Sequence, residues 1–216
     1  MTVPDELEAY AASIGPDPDS VLEEMDTHAE AIGFPTVGPA VGGWLYILTK
    51  LVDAERIFEF GSGFGYSAYW FARALPEHGE IVLTEVDADE LEEAETYLDR
   101  GGFADLATFE LGDAIETIER YDDPFDVALI DNEKERYVEA FRSVREQIPS
   151  GGIVVADNIT AGPFDFETVR AAVAGEPVEN ASARGIADYL AHVEEDPAFE
   201  TSLLPLGEGV AISRRR

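Results

Sequence analysis

Beyond residue 56, short apolar runs alternate with longer amphipathic segments along the chain. Four of the runs, at 57–60, 81–84, 127–130 and 153–156, are typical of strands buried on both faces of a sheet, and a further short run at 107–111 fits another strand. The segments between them have helical length, at 66–75, 89–99, 114–120 and 133–147. Strands and helices that alternate form βαβ units, so the pattern predicts an α/β fold with a doubly wound, mostly parallel sheet.

The two ends of the chain depart from this alternation. Helices are predicted at 3–14, 20–33 and 40–51, the second opened by a capping box that starts at Ser20. Near the other end, a helix at 183–194 precedes strands at 199–204 and 209–213, whose short connection predicts an antiparallel hairpin at a sheet edge. No linker or repeat divides the chain. We therefore expect one domain over 1–216, in which helices within 1–52 cap a core formed by 53–216.

Charge is the most unusual property of the composition. The chain carries 46 Asp and Glu against 14 Lys and Arg, a net charge of −32, and its 45% hydrophobic content is enough for a folded core. Such a surface repels phosphate backbones and anionic lipids, so we expect neither nucleic acid nor a membrane as a partner. Acid spread along the whole chain with almost no lysine is typical of halophilic proteins, whose saturated salt screens self-repulsion.

Other classes are excluded by what the sequence lacks. There is no cysteine, which excludes disulfides, thiolate metal sites and cysteine nucleophiles. Residues 1–12 carry acid and no apolar run, unlike a signal peptide, and no apolar stretch has membrane-spanning length. We therefore expect a soluble, cytoplasmic protein.

A glycine-rich turn follows the first predicted strand. It reads Gly61-Ser62-Gly63-Phe64-Gly65-Tyr66-Ser67 and opens a helix, where backbone N–H groups can receive a carboxylate or phosphate. Glu85, after the second strand, suits the two hydroxyls of a ribose. A dinucleotide fingerprint would need glycine in place of Tyr66, so the spacing favours S-adenosylmethionine, and Tyr66 is expected near this cofactor. No P-loop sequence follows the glycines.

Two carboxylates stand at the ends of later strands. Asp131 follows one four-residue apolar run and Asp157 another, with Asn158 next to it, which places all three at the ligand-binding edge of the sheet. An all-oxygen set of this kind suits Mg²⁺, or another divalent cation such as Mn²⁺ or Ca²⁺. N-capping of the following helices is an equal alternative on spacing alone.

Lysine is nearly absent, and one of the two lysines lies beside these acids. Lys134 stands three residues after Asp131 in a chain that otherwise uses arginine, apart from Lys50. Arginine keeps its proton, whereas a lysine near cations can lose it. Lys134 is therefore interpreted as a general base next to a metal.

Three motifs together resemble the cation-dependent O-methyltransferases, the family of catechol and caffeoyl-CoA O-methyltransferases. They are Glu-x-Gly-x-x-x-Gly-Tyr-Ser at 59–67, Asp-x-x-Lys-x-x-Tyr at 131–137 and Ala-Asp-Asn at 156–158. The resemblance implies a Rossmann-like, seven-stranded sheet whose antiparallel strand comes from the final hairpin. It also implies transfer of a methyl group from S-adenosylmethionine to a hydroxyl of a small catechol-like vicinal diol, and a homodimer.

The resemblance implies a role for each matching residue. Asp131, Asp157 and Asn158 correspond to the metal ligands and Lys134 to the catalytic base. The residues that would surround the cofactor are Val37, Glu59, Gly61, Gly63, Tyr66, Ser67, Glu85, Asp113, Ala114 and Asp131. A carboxylate inside a buried strand is costly unless paired, and the ammonium of the methionine moiety is one possible partner for Glu59.

Some features leave alternatives open. Asn132 and Glu133 stand where some relatives place an aromatic gate, and Glu208 is a candidate to hold the second acceptor hydroxyl by its location only. A nucleotide-cofactor oxidoreductase is the alternative enzyme, and a non-catalytic S-adenosylmethionine-binding protein is the alternative from another class. Retention of Lys134 with the three predicted metal ligands argues against the second alternative.

Overall fold

The computed structural model describes residues 4–216, except for the side chain of Asp5. The expected helix start at Val3 lies outside these residues. The helices are α1 (Asp5–Ile14), α2 (Ser20–Ile32), α3 (Gly38–Leu51), α4 (Tyr66–Ala74), α5 (Ala88–Gly101), α6 (Ala114–Ile118), α7 (Tyr137–Val144), α8 (Phe166–Val173) and α9 (Ala181–Glu195). The strands are β1 (Arg56–Phe60), β2 (Glu80–Glu85), β3 (Ala107–Leu111), β4 (Val127–Ile130), β5 (Ile153–Ala156), β6 (Phe199–Leu204) and β7 (Val210–Arg215).

All seven strands form one sheet in the order β3-β2-β1-β4-β5-β7-β6. The first five strands along the chain run parallel, while β7 is antiparallel to both β5 and β6. This confirms the predicted doubly wound sheet with a C-terminal hairpin. Between β1 and β4 the strand order reverses, and the crevice at such a point is where open α/β sheets bind ligands.

Alternation along the strands divides the core between the two faces of the sheet. Ile57, Leu83 and Leu129 pack on the face covered by α2 to α5, whereas Phe58 and Ile130 pack on the face covered by α6, α7 and α9. Both faces are therefore covered, as the continuous apolar runs predict.

Short polar side chains start several helices. The carboxylates of Asp19, Asp87, Asp113 and Asp165 accept hydrogen bonds from backbone N–H groups of the helices that follow them, and Asn180 does the same for α9. The capping box predicted at Ser20 is wrong, because Asp19 is the N-cap and its Oδ1 accepts from the N–H groups of residues 21 and 22.

Two helical segments differ from the sequence-based expectation. The helix predicted over 133–147 is a 3₁₀ turn at Lys134–Arg136, then α7, then a second 3₁₀ turn at Arg145–Gln147. Helix α8 was not predicted, although its cap, in which Asp165 accepts from the N–H of Thr168, is a recognisable local signal. Within residues 4–216, no helix is both long and apolar enough to span a bilayer.

Candidate active site

A cavity of about 640 Å³ lies at the carboxyl ends of the five parallel strands, β1 to β5. Of the predicted site residues, all but one line it: Val37, Gly61, Gly63, Tyr66, Ser67, Glu85, Asp113, Ala114, Asp131, Lys134, Asp157 and Asn158. Glu59 is the exception, because it lies behind Ser67 and is fully buried. The structure thus brings the candidate residues from five strand ends into one space.

The glycine-rich turn forms one wall of the cavity, and two of its glycines are required by close contacts. Gly61 has a φ of 81°, and a Cβ there would lie 3.0 Å from the carbonyl oxygen of Asp131 at the end of β4. At Gly63 a Cβ would lie 2.7 Å from Cζ of Phe34, in the link before α3. The absence of side chains here lets the turn approach both β4 and the segment Phe34–Val37, which covers the cavity.

Glu85 fastens the glycine turn to the end of β2. Its Oε2 accepts from the Gly63 N–H at 2.9 Å, and its Oε1 accepts from the N–H groups of Val86 at 2.7 Å and Asp87 at 3.1 Å. A carboxylate offers about four acceptor positions, so these amides occupy most of them. In this arrangement Glu85 shapes the turn, and a ribose would have to displace an amide to place both hydroxyls on it.

Glu59 is a buried acid with one free oxygen. The Ser67 hydroxyl donates to Oε1, while Oε2 has no partner among the described residues. Burial raises the pKa of Glu59 to about 8, and the nearby Asp131 and Glu85 charges add to the rise, which the Ser67 hydrogen bond offsets in part. A cationic group entering beside Ser67 would find an acceptor that the protein itself leaves unpaired.

Asp113 starts α6 and pairs with Arg136. Its Oδ1 accepts from the Ile115 N–H at 2.8 Å, and Nη1 of Arg136 donates to its Oδ2. The Arg136 hydrogen bond holds the pKa of Asp113 below its ordinary value. Since both oxygens already have partners, Ala114 and the backbone of the turn are the parts of this segment left to meet a ligand.

Tyr66, the first residue of α4, lines the cavity, but its buried hydroxyl has no hydrogen-bond partner in the described structure. Burial and the neighbouring Asp26 raise the pKa of Tyr66. The Tyr66 phenol therefore keeps its proton and forms part of the cavity wall.

Lys134 lies at the other end of the cavity. Its Nζ donates to Oδ1 of Asp131 at 2.8 Å and to the carbonyl oxygen of Asn132 at 3.2 Å, and it lies 5.1 Å from the centre of the Tyr137 ring. The 3₁₀ turn at Lys134–Arg136 brings the ammonium back towards Asp131. This lysine is thus fixed between a carboxylate and a cavity wall.

Asp157 and Asp131 are not helix caps. Neither is the N-cap of any helix in the described structure, where the helices after β4 and β5 begin elsewhere. Asp157 is buried, and its Oδ1 has no partner. Burial raises the pKa of Asp157 to about 8, and repulsion from Asp131 adds to this. Burial also raises the pKa of Asp131, against the lowering effect of Lys134.

The final hairpin closes this end of the cavity. Nδ2 of Asn158 donates to Oε2 of Glu208, and the N–H of Thr160 donates to the Glu208 carbonyl at 2.7 Å. Asn158 has a φ of 57°, a conformation that asparagine tolerates better than most residues. Glu208 lines the cavity close to Gly162, at the same end as Asp157 and Asn158.

Two residues that sequence reasoning missed hold Lys134 and Asp157 in place. A Cβ at Gly185 of α9 would lie 2.3 Å from the carbonyl oxygen of Lys134, so this glycine lets α9 pack directly on the turn. The hydroxyl of Tyr137, which is fully buried, donates to the carbonyl of Asp157 at 3.1 Å. Tyr137 could have been found from the sequence, because it ends the Asp-x-x-Lys-x-x-Tyr motif. Nothing in the sequence around Gly185 indicates its role.

The predicted metal ligands Asp131, Asp157 and Asn158 together have a charge that suits a divalent cation. In residues 4–216, no group of three or more His, Cys, Asp and Glu side chains is arranged to hold a metal ion. The predicted set is different, because it combines two carboxylates with an amide. A cation there would satisfy the unpartnered oxygen of Asp157 and relieve the repulsion that raises its pKa.

Comparison with known families decides the kind of protein. A family model described as O-methyltransferase matches residues 17–216. The chain belongs to the O-methyltransferase family. Among curated relatives of this O-methyltransferase, a catechol O-methyltransferase from Niastella koreensis is 34% identical over 152 residues, 68% of each chain. A caffeoyl-CoA O-methyltransferase from Petroselinum crispum is 25% identical over 187 residues, 81% of this chain and 74% of the relative.

Solved structures support the fold of this O-methyltransferase. The O-methyltransferase from Bacillus cereus, in complex with SAH, has a TM-score of 0.85 at 22% identity and covers 98% of this chain and 97% of its own. An O-methyltransferase of tomaymycin synthesis from Streptomyces achromogenes, in complex with SAM, has a TM-score of 0.85 at 24% identity, with coverage of 97% and 96%.

Proposed function

We propose that the protein transfers a methyl group from S-adenosylmethionine to a hydroxyl of a small catechol-like vicinal diol, with a divalent cation bound. One observation carries this proposal: Lys134, held on Asp131, shares one end of the cavity with the unpartnered oxygen of Asp157, and the glycine turn forms the other end. The names of the Niastella koreensis and Petroselinum crispum relatives support the acceptor class.

The glycine turn and its neighbours would hold the cofactor. S-adenosylmethionine supplies a sulfonium methyl that is lost to a nucleophile with the S–C electron pair staying on sulfur. The free oxygen of Glu59 and the Ser67 hydroxyl would receive the methionine ammonium, and Glu85 would meet the ribose. Val37 and Phe34 cover this end and would exclude water. SAM and SAH in the two solved relatives support this choice.

Asp131, Asp157 and Asn158 would hold the divalent cation. A cation at this place lowers the pKa of a bound hydroxyl and fixes its position. Two carboxylates and one amide would leave further coordination positions for the two hydroxyls of a diol. Glu208, hydrogen-bonded to Asn158, would accept a hydrogen bond from the hydroxyl that is not methylated.

Lys134 would act as the general base. In the proposed step a neutral Nζ of Lys134 would take the proton of the acceptor hydroxyl, and the oxygen would form the new bond to the methyl carbon as the S–C bond breaks with its electron pair left on sulfur. Asp131 and the Asn132 carbonyl orient the amine, and Tyr137 packs against it. Positioning of the two reactants in a closed cavity would supply most of the acceleration.

The wider organisation of the protein is also part of the proposal. We infer that residues 1–216 act as one methyltransferase domain, that the protein forms a homodimer, and that it works in concentrated salt. The oxidoreductase alternative has no support from the family comparison. The non-catalytic alternative is tested together with the reaction.

The test is methyl transfer from labelled S-adenosylmethionine to catechols and hydroxycinnamoyl compounds in molar KCl, with and without EDTA. We expect transfer to vicinal diols, its loss in EDTA and its recovery with Mg²⁺. Acceptors with a single hydroxyl are the matched controls. Calorimetry with SAH and with NAD⁺ separates the alternatives: binding of NAD⁺ alone, or transfer that EDTA leaves untouched, would contradict the proposal.

A further inference from the structure

Glu85 can offer a ribose only part of its hydrogen-bonding capacity. The backbone N–H groups of Gly63, Val86 and Asp87 already donate to its two oxygens. An ionised carboxylate has about four acceptor positions, so little capacity is left. A ribose has two neighbouring hydroxyls, and an enclosed hydroxyl without an acceptor costs binding energy. A second acceptor beside Glu85 is therefore required unless one of the amides gives way.

A second carboxylate, that of Glu90, faces the same part of the cavity. Glu90 belongs to the first turn of α5 and lines the cavity, and its N–H donates to Oδ1 of the N-cap residue Asp87. Its Oε2 lies 3.8 Å from the point that a Cβ at Gly63 would occupy. Oε2 of Glu85 accepts from the N–H of this same glycine. The carboxylates of Glu85 and Glu90 thus both lie next to Gly63.

The missing side chain of Gly63 leaves a space between two groups of different character. A Cβ at this position would lie 2.7 Å from Cζ of Phe34, and the φ of 49° is itself one that other residues rarely adopt. Any side chain here would fill the space between the Phe34 ring and the Glu90 carboxylate. A sugar has C–H groups on its faces and hydroxyls at its edge, so an aromatic ring beside a carboxylate suits it.

The carboxylate of Glu90 is unpaired. Among the described residues, no hydrogen bond or ion pair involves its oxygens, and the neighbouring Glu93 is the acid that pairs with His28, at 3.0 Å. Burial raises the pKa of Glu90, and the charges of Glu85, Asp87 and Glu93 add to the rise. Glu90 therefore keeps its acceptor positions free while surrounded by other acids, where a hydroxyl donor would stabilise its charge.

The order of the strands matches the order of the three parts of the cofactor. In the sheet, β3, β2 and β1 are neighbours, and they are followed by Asp113, end in Glu85 and contain Glu59, respectively. Adenine is expected at the first of these positions and the methionine ammonium at the last. The ribose, which joins them, then lies at the end of β2. Glu90 is in the helix that follows β2, so it lies at the ribose position rather than at either end.

We propose that Glu90 accepts a hydrogen bond from one ribose hydroxyl of the cofactor, while Glu85 accepts from the other. This assignment rests on the proposed function, in which S-adenosylmethionine is the ligand. With the ribose shared in this way, Glu85 keeps its three N–H donors, and the glycine turn holds its shape when the cofactor binds. Sequence reasoning assigned the ribose to Glu85 alone.

The experiment measures the affinity for SAH by calorimetry in molar KCl. It uses the wild type, Glu90→Ala and the control Glu92→Ala, which changes an exposed acid of the same helix. SAH lacks the positive sulfur of S-adenosylmethionine, so the result does not simply reflect the loss of a negative charge. We expect Glu90→Ala to bind SAH about tenfold more weakly, as for a lost hydrogen bond to a charged group. The control should stay within about twofold of the wild type.

The same titrations with the 2′-deoxy and 3′-deoxy forms of SAH separate a contact from a structural role. One of these forms lacks the hydroxyl that Glu90 accepts, so it should bind the wild type and Glu90→Ala equally well. The other form keeps that hydroxyl and should lose about tenfold in the variant, as SAH does. A residue that only supports the cavity wall would change the affinity for all three ligands by the same factor.

The outcomes that overturn the proposal are distinct. Equal SAH affinity of the wild type and folded Glu90→Ala would overturn it, and so would an equal loss for SAH and both deoxy forms. Thermal melting without ligand shows whether the variant is folded. Glu90→Gln, which keeps the shape of the side chain, serves if it is not, with a loss of about threefold and the same selectivity. A wild type that does not bind SAH would contradict the proposed cofactor and this assignment together, whereas SAH binding that ignores Glu90 would contradict the assignment alone.

Discussion

The acidic side chains at the two ends of the cavity differ in their hydrogen-bond partners. At the cofactor end, Glu85 and Asp113 accept hydrogen bonds from backbone N–H groups, and their contacts shape the glycine turn and the start of α6. At the acceptor end, Asp157 has a buried oxygen without a partner and a pKa raised by burial to about 8. These carboxylates of the first end support structure, whereas that of the second has an oxygen that no described residue contacts through a hydrogen bond.

Glu59 shares its location with the acids of one end and its unpaired oxygen with the acid of the other. It belongs to β1 at the cofactor end, yet it has a free oxygen, like Asp157, and its pKa responds to the charge of Asp131. Acids with a raised pKa and no partner cost stability, so we interpret the unpaired oxygens of these two acids as positions for ligands. In a chain with 46 acids, the partner of a carboxylate therefore distinguishes its role better than its position in the sequence does.

The largest expected effect removes the proposed base at the acceptor end. Lys134→Ala should lower the rate of methyl transfer by about 10² to 10⁴, the usual contribution of general acid–base catalysis. SAH affinity should stay within about twofold, because the hydrogen bonds of Nζ go to Asp131 and the Asn132 carbonyl and none goes to the glycine turn. Lys50→Ala is the control, since it removes the other lysine of the chain. An active Lys134→Ala variant would show that the base is elsewhere.

The next effect concerns the buried acid at the cofactor end. Because the pKa of Glu59 is about 8 when folded and near 4.3 when unfolded, the folded protein binds an extra proton between these values. The free energy of unfolding should therefore fall as pH rises from about 4 to 8. In Glu59→Gln this contribution is absent, so over that range the variant should gain about 3 to 5 kcal/mol relative to wild type.

Urea unfolding at a series of pH values in molar KCl measures this difference. Glu92→Gln, an exposed position on α5, is the control and should follow the wild type. If the free energies of unfolding of Glu59→Gln and Glu92→Gln depend on pH in the same way, Glu59 is ionised in the folded protein near neutral pH. Glu59 would then no longer belong with Asp157 among the unpaired acids of raised pKa.

A smaller effect tests how the acceptor end is held. Gly185→Ala would place a Cβ 2.3 Å from the carbonyl oxygen of Lys134, so the turn that carries the lysine must move. We expect kcat to fall about tenfold, because small displacements of a catalytic group are costly, while KM for S-adenosylmethionine is kept. Ala191→Ser adds one heavy atom at an exposed site of the same helix and should be silent. An unchanged kcat in Gly185→Ala would contradict this role.

The smallest effect is expected for the contact that connects the ends. Arg136, two residues after Lys134, pairs with Asp113, but both side chains are about one-third exposed. Such a pair contributes about 1 kcal/mol or less, so Arg136→Ala should raise KM for S-adenosylmethionine by about fivefold at most. Raising KCl should reduce the difference further. Steady-state kinetics at two salt concentrations checks this, and a change in kcat instead would place Arg136 in the chemistry.

Local sequence patterns predict most of the fold and the location of the site. The apolar runs specify the parallel strands because a strand buried on both faces cannot contain many polar residues. Once the strands are known, their carboxyl ends bring Gly61, Glu85, Asp131 and Asp157 together. Lys134 stands out because arginine supplies nearly every other cation.

Features that depend on contacts between distant segments were not predictable. Nothing near Gly185 in the sequence indicates that α9 packs on Lys134, since the requirement comes from a backbone 51 residues away in the chain. The helical segment predicted over 133–147 begins one residue later, because Glu133 has an extended backbone (ψ 126°) before the turn of Lys134 towards Asp131. Glu59 was expected in the cavity, but the alternation of β1 turns it towards α4, behind Ser67.

The position of β7 has a consequence for the order in which the site is completed. This strand lies between β5 and β6, although it follows both in the chain. While the chain is being synthesised, β5 therefore exposes an unpaired edge until residues 210–215 emerge, and such an edge can pair with another nascent chain. The β6–β7 connection carries Glu208. The end of the cavity that contains Asp131, Asp157 and Asn158, the proposed metal ligands, is therefore completed only when β7 joins the sheet.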